Sequence, residues 1–309
     1  MIRHSMLMAA ATSLALAGGA HAKGCDKVVI SEPGWTDIAA TTGVTQVILN
    51  ALGYKTEIEV LSLPITYAGL ARGDVDVFLG NWMPTMEGDI AQYREAGTVD
   101  TVRVNLEGAK YTLGTNAAGA DLGIKDFADI KDHEAELEGN IYGIEAGNDG
   151  NRQILDIIGK DAFGLGKFNL VESSEQGMLA EVERRDAAGK PIIFLAWEPH
   201  PMNSDFDITY LTGGDDYFGP DFGGATVSTN TRKGYVEECP NVGKFLQNLV
   251  FNLDMENEIM GDILNKDQDP AAAAKAWLKA NPDTWQPWLD GVTTKDGGDA
   301  VQAVEAALQ

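Results

Sequence analysis

The feature that most constrains this chain is a repeated switch of period, in which short β-branched runs alternate with longer amphipathic stretches. From Asp26 onward "KVVIS" reads as a strand, "TDIAATTGVTQVILNALGY" as a helix, "KTEIEVLSL" as a strand, "ITYAGLARG" as a short helix and "VDVFLG" as a strand. Strand, helix, strand, helix, strand with connections of this length gives a mostly parallel sheet with helices on its faces. A second set follows "VRVNLEGAKYTLGTN": helix in "IKDFADIKDHEAELEG", strand in "NIYGIEAG", helix in "NRQILDIIG", strand in "FNLVES", helix in "EQGMLAEVERRDAAG" and strand in "PIIFLAW". The architecture repeats while the sequence does not. From Cys239 the tail reads as helical, with no strand of its own.

Two such units in 309 residues make a bilobal α/β protein with a cleft between the lobes. The opening segment "MIRHSMLMAAATSLALAGGAHA" has a basic start at Arg3 and His4, an apolar run too short to span a bilayer, and Ala20 and Ala22 around His21. That pattern is an export signal cleaved after Ala22, and no other segment reads as membrane-spanning. Without Arg3 the balance is 22 basic against 47 acidic residues. Such a surface repels nucleic acid and anionic lipid; it serves solubility, or mild attraction of cations. Two cysteines, Cys25 and Cys239, suit an oxidising compartment and one disulfide. A lipid anchor on Cys25 is the rival reading, but Lys23 stands where a lipidation signal wants a small or apolar residue, and Cys239 would lose its partner.

A bridge between the cysteines folds the last third back onto the first strand and makes the middle lobe an insertion. The expected division is 1–22 signal, 23–110 first lobe, 111–205 inserted second lobe and 206–309 the first lobe's helical remainder. Open α/β sheets bind ligands at the carboxyl ends of their strands. Trp35, Trp82, Asn148 and Trp197 each follow a predicted strand, and Tyr111 lies where the chain passes between lobes. Two of the strands end alike, in "NWMP" and "AWEP". Taken singly, each ring is packing or rim. Several rings boxed together present negative faces to a quaternary ammonium ion, which has no N–H to offer. Trp277, Trp285 and Trp288 fall in the helical tail, where packing accounts for them.

Chemistry is hard to find. Beyond the signal the histidines are His133 and His200; "HEAELEG" lacks the second histidine of a zinc-protease helix, and neither G-x-S-x-G nor a phosphate loop occurs. "GLGKF" from Gly164 lacks the third glycine and the strand of a dinucleotide fingerprint. No metal, cofactor or catalytic residue is therefore expected.

The four segments "SEPGWTD", "GNWMPT", "YGIEAGND" and "LAWEPHP", in this order, resemble the periplasmic substrate-binding proteins of ABC importers for quaternary amines, and the resemblance spans essentially the whole mature chain. It implies the type II periplasmic-binding-protein fold, choline as ligand and a monomer that delivers it to an inner-membrane permease without being an enzyme. It also implies an aromatic box of Trp35, Trp82, Tyr111 and Trp197, with Asp37 and Asn148 holding the hydroxyl, and a disulfide Cys25–Cys239. Choline and glycine betaine share the trimethylammonium head and differ at the tail. A carboxylate tail asks for donors; a hydroxyl is satisfied by an acceptor, and Asp37 both accepts and carries charge that suits a net cation. Choline is thus expected first and acetylcholine more weakly, with betaine or carnitine as the alternative. Asp37 is also a natural cap for the helix that follows it. An exported enzyme acting on choline derivatives, and a chemoreceptor adaptor of the same fold, are the rivals from other classes.

Overall fold

The computed structural model describes residues 24–309. The expected export signal, 1–22, and Lys23 lie outside them. Among the described residues nine strands form one sheet: β1 (Lys27–Glu32), β2 (Lys55–Val60), β3 (Val77–Met83), β4 (Val99–Thr115), β5 (Asn140–Tyr142), β6 (Asn169–Val171), β7 (Ile193–Glu198), β8 (Thr209–Tyr210) and β9 (Gly224–Arg232). Their order is β2-β1-β3-β9-β4-β7-β5-β6, with β8 on β4. The α/β class holds, with one difference from two separate parallel sheets. β1 pairs in parallel with β2 and β3, and β5 with β6 and β7, as the alternating pattern requires. Between these groups β4 and β9 run antiparallel and join them into a mixed sheet. The long β4 does the joining: Lys110 pairs with Gly224 of β9 on one side and Glu198 of β7 on the other.

Three interior strands are legible because both their faces are covered, so β1, β3 and β7 are nearly continuous apolar runs. β9 is not: Ser228, Thr229, Asn230 and Thr231 are all buried, and no apolar alternation marks them. The helix expected over "IKDFADIKDHEAELEG" is only a 3-10 segment, Phe127–His133, opened by a capping box between Asp126 and Asp129. Its buried side chains Phe127 and Ile130 stand three residues apart, the spacing that aligns side chains in a 3-10 turn rather than an α-helix.

Beyond the expected boundary at 205 the chain keeps to the second group of strands, since β8 pairs with Gly114 and Thr115 and Asp126 bridges Thr212. It returns to the first group with β9. The tail is helical, Pro240–Asn248, Leu253–Lys266 and Pro270–Ala280 among its segments, and the last two pack on the helix Thr36–Ala51. Cys25 and Cys239 are bonded, their Cα atoms 5.5 Å apart, which ties the tail to the start of β1. Trp285 and Trp288 are buried in the tail's own packing. Among the described residues no helix is long and apolar enough to cross a membrane.

Candidate functional site

Each expected site residue is placed by a local device. After β1, Gly34 takes φ 92°, a conformation open to glycine, and turns the chain into the helix Thr36–Ala51. Trp35 occupies the cap position with no side-chain cap bond, so Asp37 is not the cap; it sits in the first turn, where a helix dipole favours a carboxylate. Trp82 and Trp197 lie within the last two residues of β3 and β7 rather than beyond them, and in both the proline that follows is joined by a cis peptide bond. Tyr111 stands opposite Trp197 in the β4–β7 ladder. Asn148 caps the helix Asp149–Gly159, its Oδ1 accepting from Asn151 N at 3.1 Å.

All six line one cavity of about 270 Å³, together with Ile144 and Asp149. Trp82 and Tyr111 have ring centroids 5.9 Å apart and tilted by 57°, and Tyr111 meets Trp197 edge-on at 6.2 Å. Trp35, Trp82, Tyr111 and Trp197 are all buried. The rings are held by their polar edges: Trp82 Nε1 donates to Asp37 Oδ2 at 3.0 Å, Trp35 Nε1 to Glu145 Oε1 at 2.8 Å, and the Tyr111 hydroxyl to Asn148 Oδ1 at 3.0 Å. Gly150 leaves room for the last of these bonds, since a Cβ there would fall 2.0 Å from the Tyr111 hydroxyl oxygen.

No lysine, arginine or histidine lines the cavity, while two carboxyl groups do. Burial pushes Asp37 up to about 7; the charge of Glu175 adds to the rise and the Trp82 N–H opposes it. Asp149 is likewise pushed up to about 7 by burial, with Asp89 adding, and is held back by a hydrogen bond from Thr85 and by Arg152. Its Oδ1 accepts from Asn148 Nδ2 at 3.1 Å. Burial also pushes the Tyr111 phenol up, so it stays a donor. A box of ring faces with acids at its edge and no base is built for a cation.

Sequence reasoning missed Ile144 and Asp149, although "YGIEAGND" contains both; without coordinates nothing separated them from the strand and the cap. It also missed the bonds that hold the two halves together over the cavity. Glu145 and Glu175, from the second group, accept from Trp35 and Thr36 of the first, and Arg152 reaches Asp89 Oδ1 at 2.7 Å and Thr85 O at 2.8 Å.

Fold and cavity together define a cleft-type substrate-binding protein. The chain belongs to the family described as the substrate-binding domain of ABC-type glycine betaine transport systems, whose profile matches residues 26–280. A choline-binding protein of an ABC transporter, solved in complex with choline, is 64% identical, covers 92% of this chain and 99% of its own, and superposes with a TM-score of 0.91. The same kind of protein in an unliganded, semi-closed conformation is also 64% identical over the same shares, with a TM-score of 0.85. The present conformation thus lies nearer the liganded form. An uncharacterised protein, ORF1 of Chromohalobacter salexigens, is 47% identical over 132 residues, 43% of this chain and 85% of its own.

Proposed function

We propose that this chain captures choline in the aromatic cavity and hands it to an ABC permease. The observation that carries this reading is the composition of the cavity wall: four ring systems and two carboxyl groups, with no cationic side chain. The rings take the trimethylammonium head. The hydroxyl donates to Asp37 and accepts from the second hydrogen of Asn148 Nδ2, whose first is given to Asp149. A betaine carboxylate in the same position would face Asp37 and Asp149, two like charges, and find no base. Acetylcholine keeps the head and loses the hydroxyl proton, so it binds more weakly. The relatives support the reading from outside: the similar protein solved with choline shares 64% of its residues with this chain.

The mature protein works as a periplasmic monomer of two lobes that close over the ligand, one comprising residues 23–110 and the later helical remainder, the other the insertion that begins at 111. Binding, not bond-making, is its task. Calorimetry with choline and glycine betaine side by side tests this: choline should bind and betaine should bind far more weakly or not at all. Equal or tighter binding of betaine would overturn the choice of ligand. In Asp37→Asn choline should weaken by roughly one to two decades, the worth of a charged hydrogen bond, while betaine stays level or improves.

A further inference from the structure

We propose that Glu175 is a positioning residue that fastens the aromatic box shut, tying the Trp35–Asp37 corner of one lobe to the Trp197 strand of the other. This rests on the cavity being the choline site. Glu175 opens the helix Glu175–Ala187, is 1% exposed, and does not line the cavity. Its Oε2 accepts from the backbone N–H of Thr36 at 2.9 Å, and its Oε1 accepts from the Thr36 hydroxyl at 2.5 Å and lies 3.2 Å from His200 Nε2. Thr36 stands between Trp35 and Asp37 in the chain. His200 follows Trp197 by three residues, and its ring packs edge-on against that indole at 4.9 Å.

The pattern of donors calls for a carboxylate. Met202 N donates to His200 Nδ1 at 2.9 Å, so the hydrogen-bond network puts the ring proton on Nε2, facing Glu175. Three donors, Thr36 N–H, Thr36 O–H and His200 Nε2–H, therefore converge on one buried side chain. A glutamine offers one oxygen and one NH2, and in either orientation sets a donor against a donor. All of these groups are buried, so a donor left without an acceptor weakens the arrangement that contains it. Because partners on both lobes meet only when the cleft is closed, the tie slows opening rather than capture.

The test is stopped-flow tryptophan fluorescence with choline on the parent, Glu175→Gln, Thr36→Val and the double variant. The parent must first bind choline; if it does not, this inference falls together with the ligand assignment. Given a binding parent, Glu175→Gln should raise the dissociation rate roughly ten- to hundredfold and leave the association rate within about twofold. Thr36→Val should act in the same direction, and the double variant should add little to Glu175→Gln, because both break one tie. Thr36→Ser, which keeps the hydroxyl, should restore near-parent dissociation.

A second readout separates the tie from general loosening. Asp37 is faced by Glu175, by Glu256 and by the Trp82 N–H. Removing the Glu175 charge should let choline binding survive to lower pH than in the parent. A Glu175→Gln protein that binds choline with parent rates and the parent's pH profile overturns the inference while leaving the choline site intact; so do single-variant effects that simply add.

Discussion

Choline binding should be coupled to proton release, and Asp37 sets the size of the effect. With the cleft closed and no cation in it, its carboxyl is pushed up to about 7, first by burial and then by the charge of Glu175, and a ligand-free protein that keeps this burial titrates accordingly. A quaternary ammonium ion a few ångströms away favours the ionised form, by about 4 kcal/mol at 4 Å and an effective dielectric constant of about 20, enough to return the group to the ordinary carboxylate range. At pH 8 nearly every molecule holds Asp37 ionised. At pH 5.5 only about one in thirty does, so choline affinity should fall about thirtyfold over that span from Asp37 alone, and further if Asp149 contributes. At pH 7 about half a proton should leave per choline bound, seen in calorimetry as a binding heat that differs between buffers of unlike ionisation enthalpy. In Asp37→Asn both effects should shrink to what Asp149 supplies. The sign for the empty protein is opposite. A carboxyl whose folded value is raised lets the native state hold the proton more tightly, so this group's contribution to stability is lost as pH rises from the ordinary range toward 7. Unliganded Asp37→Asn should therefore melt no lower than the parent at pH 8. Choline affinity constant within twofold from pH 8 to 5.5, with no buffer dependence of the heat, would refute the reasoning.

Replacing Trp82 or Trp197 by Ala removes a desolvated cation–π face worth about 2 kcal/mol, so each variant should lose about thirtyfold in choline affinity by calorimetry; parent-like binding in both would make the rings structural. Gly150→Ala puts a Cβ 2.0 Å from the Tyr111 hydroxyl oxygen and should break its bond to Asn148, lowering choline affinity by about tenfold or more while the disulfide still forms. The bridge closes a loop with a sequence separation of 214, for which chain entropy gives up to roughly 5 kcal/mol, so Cys25→Ser with Cys239→Ser should lower the melting temperature clearly, and non-reducing mass spectrometry of the parent should find the two cysteines linked. Small-angle scattering should show a smaller radius of gyration with choline than without; an identical profile would count against closure of the lobes.

How much of this was legible in the sequence differed by element, for physical reasons. β1, β3 and β7 are buried on both faces and announce themselves as apolar runs, and the rings at their ends follow from the rule that open sheets bind at strand termini. β9 stays hidden because a central strand filled with Ser228, Thr229, Asn230 and Thr231 has no hydrophobic period to read, though those residues are all buried. The joining of two expected sheets into one depends on β4 pairing through Lys110 with β9 and β7 at once, a long-range fact that no local window contains. The same holds at the site. Trp35, Trp82, Tyr111 and Trp197 can be found by their chemistry, whereas Asp149 looks like any acidic residue in a helix's first turn, and Glu175 looks like another. What distinguishes them is burial, and burial is set by the other lobe.

That dependence explains why the cavity is built from groups that harm an empty protein. The buried carboxyl of Asp149 and a second at Asp37 beside Glu175 are each costly to ionise in a closed cleft. The cost disappears if the cleft opens to water, if the groups take up protons, or if a cation enters. Only the last keeps the lobes together near neutral pH with both acids ionised. Without a cation the acids should therefore favour opening, while the Glu175 and Arg152 bonds across the lobes should favour closure. A cleft balanced in this way should close on a cation because the ligand's charge removes the opposing force, and a zwitterion of the same size, bringing its own carboxylate, should remove less of it.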